Sequence, residues 1–263
     1  MKISIIIVEY HSLLEIKKCV SSIRNYFQAH NYEIIISSNS CYSLPKIQQI
    51  QDEDKDIVWC INDLNGGFAY AMNSGLKIAT GDILIITNPD VVFEAGIIQM
   101  AKFLQNTSYL GAVAPKILDD LGNIQDSCRN YITLPSFCIR NVIRLIRRDT
   151  VILDKNIDLH KIQTVDWVIG AFIMVKREAY EITQGLDHKY FLYCEDLDWC
   201  TRIRKAGFEI AYYPQAIIRY TGSRRARESL KYTMIFLKSL FRYWNKFGYF
   251  KISPNRKPLS IFS

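Results

Sequence analysis

The chain has no run of twenty uncharged apolar residues, no Cys-x-x-Cys pair, no Gly-x-Gly-x-x-Gly and no Gly-x-x-x-x-Gly-Lys-Ser/Thr. The first absence removes a membrane-crossing helix from the expectations. The second, with an odd set of seven cysteines (Cys19, Cys41, Cys60, Cys128, Cys138, Cys194, Cys200), argues against a disulfide framework or a structural zinc site and for reduced thiols in a cytosolic compartment. The last two leave neither a dinucleotide fingerprint nor a phosphate loop of the ATPase type. The apolar opening "MKISIIIVEYHS" soon meets Glu9 and His11 and has no small-residue cleavage site, so it reads as a buried strand.

What is present suits a folded enzyme-sized domain. Hydrophobic residues make up 49% of the 263 residues and charged ones 22%, enough apolar material for one sizeable core. The net charge of +7 is concentrated: Arg219 to Lys257 holds eleven Lys/Arg and one acid, Glu228, while Arg129 to Arg148 holds five Arg and no acid. Such segments favour an anionic partner: membrane headgroups, a phosphate-bearing substrate, or nucleic acid.

Two hydrophobic periods alternate over the first 120 residues. "ISIIIV" (3–8), "EIIIS" (33–37), "IVWCI" (57–61) and "ILIIT" (83–87) are short β-branched runs, as in strands buried on both faces of a sheet. Between them, 13–27, 68–79 and 94–104 place apolar residues at helical spacing. The alternation predicts an α/β layered sheet with right-handed crossovers, whose ligands sit at the carboxyl ends of the strands. Those ends are polar here: "EYHS", "SSNS", "NDLNGG" and "TNPD". In "NGGF" the glycines allow close backbone approach at a helix N-terminus, which suits an anion, or simply make a tight turn. In the second half, 164–179 reads as an apolar strand entering a helix, 196–207 as a helix ended by Gly207 with Asp198 and Arg202 paired at i,i+4, and "FEIAYYP" and "AIIRY" as two strands. Leu230, Met234, Leu237, Phe241, Trp244 and Phe247 form one stripe of a basic amphipathic helix, which either docks on the domain or lies on a membrane surface.

Four segments in order, "NGGFAYAMNSG" (65–75), "ATGDILIITNPDVVF" (79–93), "VDWVIGAFIMVKREAY" (165–180) and "GLDHKYFLYCEDLDWCTRIRKAGFEIAYYP" (185–214), carry a resemblance. Together they resemble the family-2 inverting glycosyltransferases of GT-A fold, especially the bacterial rhamnosyltransferase-like branch, over about residues 3–248. The resemblance implies a mixed sheet flanked by helices, with a catalytic domain over 1–222 (donor half about 1–115, acceptor half 116–222) and a basic amphipathic helix and tail over 223–263. It implies that Asp90, closing "NPD", holds Mg2+ or Mn2+ on the donor diphosphate, for which oxygen ligands are suited. It further implies that Asp196 is the general base and Glu195 supports base or acceptor. The donor would be met by Tyr10, Ser38, Asn39, Asn65, Gly66, Gly67, Phe68, Asn73, Asn88 and Asp90, with Asn65 and Asn73 contacting donor or holding their loop. Trp167, Gly170 and Tyr193 would face the acceptor, although core packing is a rival for Trp167. Arg202 is expected to pair with Asp198 and touch no ligand.

Three positions depart from the family pattern. Glu9 precedes Tyr10 where Asn is usual. Ser38-Asn39 stands where Asp-Asn reads the base, leaving the donor base open. Arg219, followed by Ser223, occupies the place of a metal-binding His. A guanidinium pairs with diphosphate oxygens but does not ligate metal. Three readings follow: Arg219 replaces the cation in whole or part, a shifted loop leaves a metal on Asp90, or the transferase is degenerate and inactive. The function expected from the resemblance is sugar transfer from a nucleotide-diphosphate donor, dTDP-rhamnose or a UDP-sugar. The acceptor would be a polyprenyl-diphosphate-linked glycan of O-antigen or capsule type, met by a peripheral enzyme at the cytoplasmic face of the membrane, with no nucleic-acid partner. The rival class is a membrane or nucleic-acid binding module without chemistry.

Overall fold

The computed structural model describes residues 1–147, 157–220 and 229–252. Its donor half alternates β1 (Ile3–Glu9), α1 (Leu13–Phe27), β2 (Tyr32–Ser38), α2 (Leu44–Glu53), β3 (Ile57–Ile61), α3 (Phe68–Ile78) and β4 (Ile83–Thr87). There follow β5 (Val92–Ala95), α4 (Ile97–Asn106), β6 (Leu110–Leu118), β7 (Cys128–Arg129), α5 (Leu134–Arg147), β8 (Gln163–Val165), β9 (Trp167–Val168) and β10 (Phe172–Lys176). The remainder is α6 (Arg177–Thr183), α7 (Glu195–Lys205), β11 (Glu209–Arg219) and α8 (Leu230–Phe247).

Among the described residues the main sheet runs β3-β2-β1-β4-β10-β6-β11-β5, with β8 also on β11 and a small β7-β9 ladder beside it. The first four strands are parallel, and β10 is antiparallel to both its neighbours. Period-two alternation divides the buried side chains between the faces. Ile6, Ile35, Leu84 and Ile86 join the core shared with α3, α7 and α8, while Ile5, Ile7, Ile34, Ile36 and Ile85 pack with α1 and α4. Each such buried aliphatic side chain stabilises the fold by roughly 1.5–3 kcal/mol. Leu240, Tyr243 and Trp244 of α8 lie in the same core as Trp199 and Tyr190, so the C-terminal helix docks on the domain.

The sheet departs from the sequence reading in three places, each with a local cause. The helix expected over 94–104 begins only at Ile97. Gly96 is left-handed (φ +70), and a Cβ there would sit 2.2 Å from the Gln215 carbonyl oxygen, so Val92–Ala95 continues as an edge strand on β11. The run over 164–179 does enter a helix, α6, but its one expected strand is three short ones, interrupted where Asp166 turns to accept from the Tyr131 N–H (3.0 Å) and again around Gly170. "FEIAYYP" and "AIIRY" form one strand, with a register shift between Tyr213 and Ile217 that absorbs Pro214, a residue without a ladder donor.

Candidate functional site

The carboxyl ends of β1, β2 and β4 face one edge, and the first two are closed by a buried acid. Glu9 is fully buried, and among the described residues no basic side chain is bonded to it. Its Oε1 accepts from the Ser12 N–H (2.9 Å) and the Tyr42 hydroxyl (2.9 Å), and its Oε2 from Ser38 Oγ (2.5 Å) and Ser40 Oγ (2.8 Å). Four donors on two oxygens satisfy this buried carboxyl group without a cation. The parallel register, Glu9 opposite Ser38, makes this possible. Ser38 is consequently buried and its proton is committed to Glu9, so the expectation that its hydroxyl reads a base edge is corrected. Tyr10 and His11 are both exposed at this edge, their rings 4.5 Å apart.

Asn39 is also buried. Its Nδ2 donates to the Gly67 carbonyl (3.0 Å) and to Asn65 Oδ1 (3.3 Å), and its Oδ1 accepts from Asn62 Nδ2 (3.1 Å). Asn65 Oδ1 takes the Gly67 N–H as well (3.1 Å). Both amides hold the glycine loop in place. Gly67 has φ +90, and a Cβ there would lie 2.1 Å from the Phe191 carbonyl oxygen. That same oxygen accepts the Phe68 N–H (2.9 Å). Of the two readings of "NGGF", the tight turn is the one seen at Phe68, because its N–H is bonded to protein. Gly66 abuts the Tyr70 ring. Asn73 exchanges two hydrogen bonds with the backbone of Leu186, at 2.7 and 2.9 Å, and so holds a loop. The glycine loop is thereby joined to the acid stretch from both sides.

In that stretch Tyr193 and Cys194 are consecutive left-handed residues (φ 69 and 64), a conformation non-glycine residues adopt at a cost of order 1–3 kcal/mol each. The double turn delivers Glu195 and Asp196 into the first turn of α7. Glu195 is buried, with no partner for Oε2, and burial, then the neighbouring Asp196, pushes its carboxyl well above the usual range. Asp196 is partly exposed. Its Oδ2 accepts from the Gly170 N–H (2.7 Å) and its Oδ1 from the Leu197 N–H (2.8 Å). Burial raises its pKa, and these two N–H groups with the Arg129 charge pull it back. Burial thus favours the neutral form more strongly in Glu195 than in Asp196, which keeps two N–H donors. The Phe68 ring and Gly170 flank Asp196: a Cβ on Gly170 would be 3.4 Å from the Asp196 Cβ and 3.6 Å from the Phe68 ring.

The third acid has another role. Asp198, fully buried, lies between Arg202 (2.6 Å) and Lys246 (2.6 Å), so the expected i,i+4 pair is present and α8 supplies a second cation. Arg202 also donates to the carbonyls of Thr183 and Gly185. Trp167 is buried, with its Nε1 on the Asn130 carbonyl (2.9 Å) and Arg129 5.2 Å above its ring. Its core reading therefore replaces the acceptor-facing one. Tyr193 is partly exposed and meets the Phe236 ring at 6.0 Å.

At the end of β4, Asn88 Nδ2 donates to the Tyr220 hydroxyl (3.0 Å), and Asp90 is exposed. Tyr220 lies within electrostatic reach of Asp90, Tyr193 and Asp196, and burial above all raises its pKa, so the phenol keeps its proton. Arg219 is engaged elsewhere. Its guanidinium pairs with Glu94 on β5 (2.7 Å) and donates to the Asp119 carbonyl (2.7 Å). Adjacent residues of an extended chain face opposite sides. Tyr220, not Arg219, is therefore the side chain turned toward Asn88, and of the three readings of Arg219 the stand-in for the cation finds its guanidinium on Glu94 instead. The sequence signal for Tyr220 was its place one residue past an alternating strand. Ser223 lies outside the described residues.

Among the described residues no three His, Cys, Asp or Glu side chains cluster as a metal cage. The chemistry of the donors still fits a hard cation carried by its ligand. Asp90 is an exposed carboxylate beside oxygen-bearing neighbours, and magnesium-type sites use one or two carboxylates with phosphate oxygens completing the shell.

A parallel-then-mixed sheet with oxygen-rich strand ends facing an acid pair defines a glycosyltransferase of GT-A fold. The chain belongs to glycosyl transferase family 2, whose family model matches residues 4–182. It is 26% identical over 197 residues to the rhamnosyltransferase WbbL of Escherichia coli K12, covering 68% of this chain and 72% of that one. It is likewise 26% identical over 171 residues to the N-acetylglucosaminyl-diphospho-decaprenol L-rhamnosyltransferase of Mycobacterium tuberculosis, covering 61% of this chain but about half, 54%, of the relative. The mannosyltransferase PcManGT of Pyrobaculum calidifontis, solved with GDP-Man and Mn2+, superposes with a TM-score of 0.60 at 19% identity, over 93% of this chain and 63% of that one. At that identity the likeness concerns the fold.

Proposed function

We propose that the protein transfers a sugar, with inversion, from a nucleotide-diphosphate donor to a glycan carried on a polyprenyl diphosphate, as in bacterial O-antigen or capsule-type synthesis. The work would be done at the inner face of the membrane. The single observation that carries the reading is the Asp196 carboxylate, held by two backbone N–H groups beside Gly170 and Phe68 and next to the buried Glu195.

In this reading Asp196 takes the proton of the acceptor hydroxyl as that oxygen bonds to the anomeric carbon. The bond from that carbon to the diphosphate breaks on the opposite face, and the nucleotide diphosphate leaves with the electron pair. One positioned carboxylate is sufficient, because no enzyme–sugar bond forms. Removing such a base slows catalysis by roughly 10²–10⁴-fold. Burial favours the reaction by making Asp196 more basic, while the Gly170 and Leu197 N–H groups favour its ionised form. Burial favours the neutral form of Glu195, which limits its repulsion of the Asp196 charge. Asp90 would hold Mg2+ or Mn2+, which supplies charge neutralisation for the departing diphosphate. Tyr220, a protonated phenol already accepting from Asn88, has its own proton to donate on the same side. The exposed Tyr10 ring is the candidate surface for the donor base.

Support for the donor comes from the relatives, whose names specify rhamnosyl transfer, so dTDP-rhamnose is favoured and a UDP-sugar is next. The decaprenyl-diphosphate wording of the mycobacterial relative supports the acceptor class. Thermal-shift measurements with dTDP, UDP, GDP and duplex DNA test the reading: protection by one of the nucleotides and none by DNA is expected. Protection by DNA alone would return the protein to the binding-module class.

A further inference from the structure

The sequence presents α8 with one apolar stripe, but the structure divides it. Trp244, with Leu240 and Tyr243, is buried in the core, whereas Leu230, Met234 and Phe241 are 86%, 66% and 51% exposed. These three are four and seven residues apart, so they follow one another along a single line of the helix. Lys231, Lys238 and Arg242 form the neighbouring line, and α8 contains no acid. A shallow groove of about 750 Å3 opens on that basic side, where Lys238, Arg242 and Lys246 meet Lys189 and Asp187 around Phe241. The neighbouring α5 contacts α8 through Phe137 and Trp244 (ring centroids 5.8 Å apart) and carries exposed Ile139 and Val142 of its own.

We propose that this outer face of α8, with α5 beside it, is the surface on which the protein rests on an anionic lipid bilayer. Leu230, Met234 and Phe241 enter the headgroup–acyl boundary, and Lys231, Lys238, Arg242 and Lys189 meet the phosphates. A helix with an exposed apolar line beside a cationic one lies in the plane of a membrane interface. No described helix is long and apolar enough to cross a membrane. Charge complementarity selects the bilayer over a second copy, since two such faces would bring their cations together. The anchoring is independent of the inner hydrophobic side of α8, whose side chains hold the domain. The inference deepens the lipid-linked acceptor reading by naming the surface that meets the lipid.

The test is co-sedimentation of the full chain with phosphatidylcholine vesicles, with and without phosphatidylglycerol, in the absence of donor and acceptor. Binding is expected with the anionic vesicles and is expected to fall as salt rises. A Leu230→Ser/Met234→Ser/Phe241→Ser variant is expected to lower the bound-to-free ratio at least about tenfold. Lys238→Gln/Arg242→Gln is expected to weaken binding and flatten the salt dependence. Both sets of side chains are outside the core, and unchanged melting temperatures confirm the fold. Absence of wild-type binding to anionic vesicles, equal binding by the triple-serine variant, or dimerisation through this face without vesicle binding each overturns the proposal. Since no nucleotide is present, that failure is separate from a failure of the transferase reading, which the nucleotide panel reports.

Discussion

The two edges of the crevice handle their polar groups in opposite ways. At the β1–β2 edge Glu9, Ser38, Ser40, Tyr42, Asn39 and Asn65 satisfy one another, and the result is a fixed backbone with Tyr10 displayed on it. At the α7 edge two carboxyl groups lie side by side, one with an unpartnered buried oxygen, after two left-handed residues. A saturated network stabilises, whereas strained backbone and under-satisfied acids persist only where the surrounding structure enforces them. The first edge is built as scaffold, and the second is where the proposed chemistry would be done.

The largest expected effect breaks the chemical edge. Asp196→Asn should lower kcat by about 10³-fold while leaving nucleotide protection in place. The amide also turns an NH2 toward either the Gly170 or the Leu197 N–H, so a loss of about 1–3 kcal/mol in stability should accompany it. Single-turnover rates with the melting temperature as control check both parts. Retention of most of the rate would move the base elsewhere.

Next comes the joint between the edges. Gly67→Ala forces a Cβ against the Phe191 carbonyl at a positive φ, and the glycine loop must then part from the acid stretch. Destabilisation of about 3 kcal/mol or more is expected, read as a fall in denaturation midpoint together with weaker nucleotide protection. Gly170→Ala is the contrast: its nearest neighbours would be at ordinary contact distance, so stability should hold.

A smaller effect concerns pH. Glu195 has a raised pKa in the folded chain, so it binds its proton more tightly there than when unfolded. Its contribution is fully present below the ordinary carboxyl value of about 4.3 and is lost as pH rises through the raised one. The wild type should therefore lose stability as pH climbs above the ordinary carboxylate range. Glu195→Gln, neutral throughout, should flatten that slope. Parallel melting-temperature profiles for the two proteins would contradict the assignment of Glu195 as the protonated partner.

Much of the scaffold was legible because periodicity reports burial. The four β-branched runs became β1 to β4 within a residue or so, and Asp198 and Arg202 paired as helical spacing required. What escaped depended on contacts between distant segments. Gly96 stops α4 because of Gln215, over a hundred residues away, and nothing local signals it. Ser38 is occupied because Glu9 lies in register on the next strand. Trp167 reads as either core or ligand surface until its partner Asn130 is known. The identity of side chains was legible, and their facing was not.

The last comparison, between neighbours Arg219 and Tyr220, tests that lesson on one strand. Arg219 and Glu94 form a partly exposed pair, 32% and 30% accessible, of a kind worth about 0–1 kcal/mol. Arg219→Ala should then shift the melting temperature little and leave kcat and the metal response near wild type. Tyr220→Phe keeps the ring but removes the hydroxyl that Asn88 Nδ2 reaches at 3.0 Å. It should cost about 1 kcal/mol of stability for the lost bond and lower kcat/KM by roughly tenfold through the lost donor, with the loss in kcat and not in KM if the phenol assists the leaving diphosphate. Should Arg219→Ala prove the more damaging of the two, the guanidinium must leave Glu94 for the donor, and the division between scaffold and chemistry would have to be redrawn on that strand.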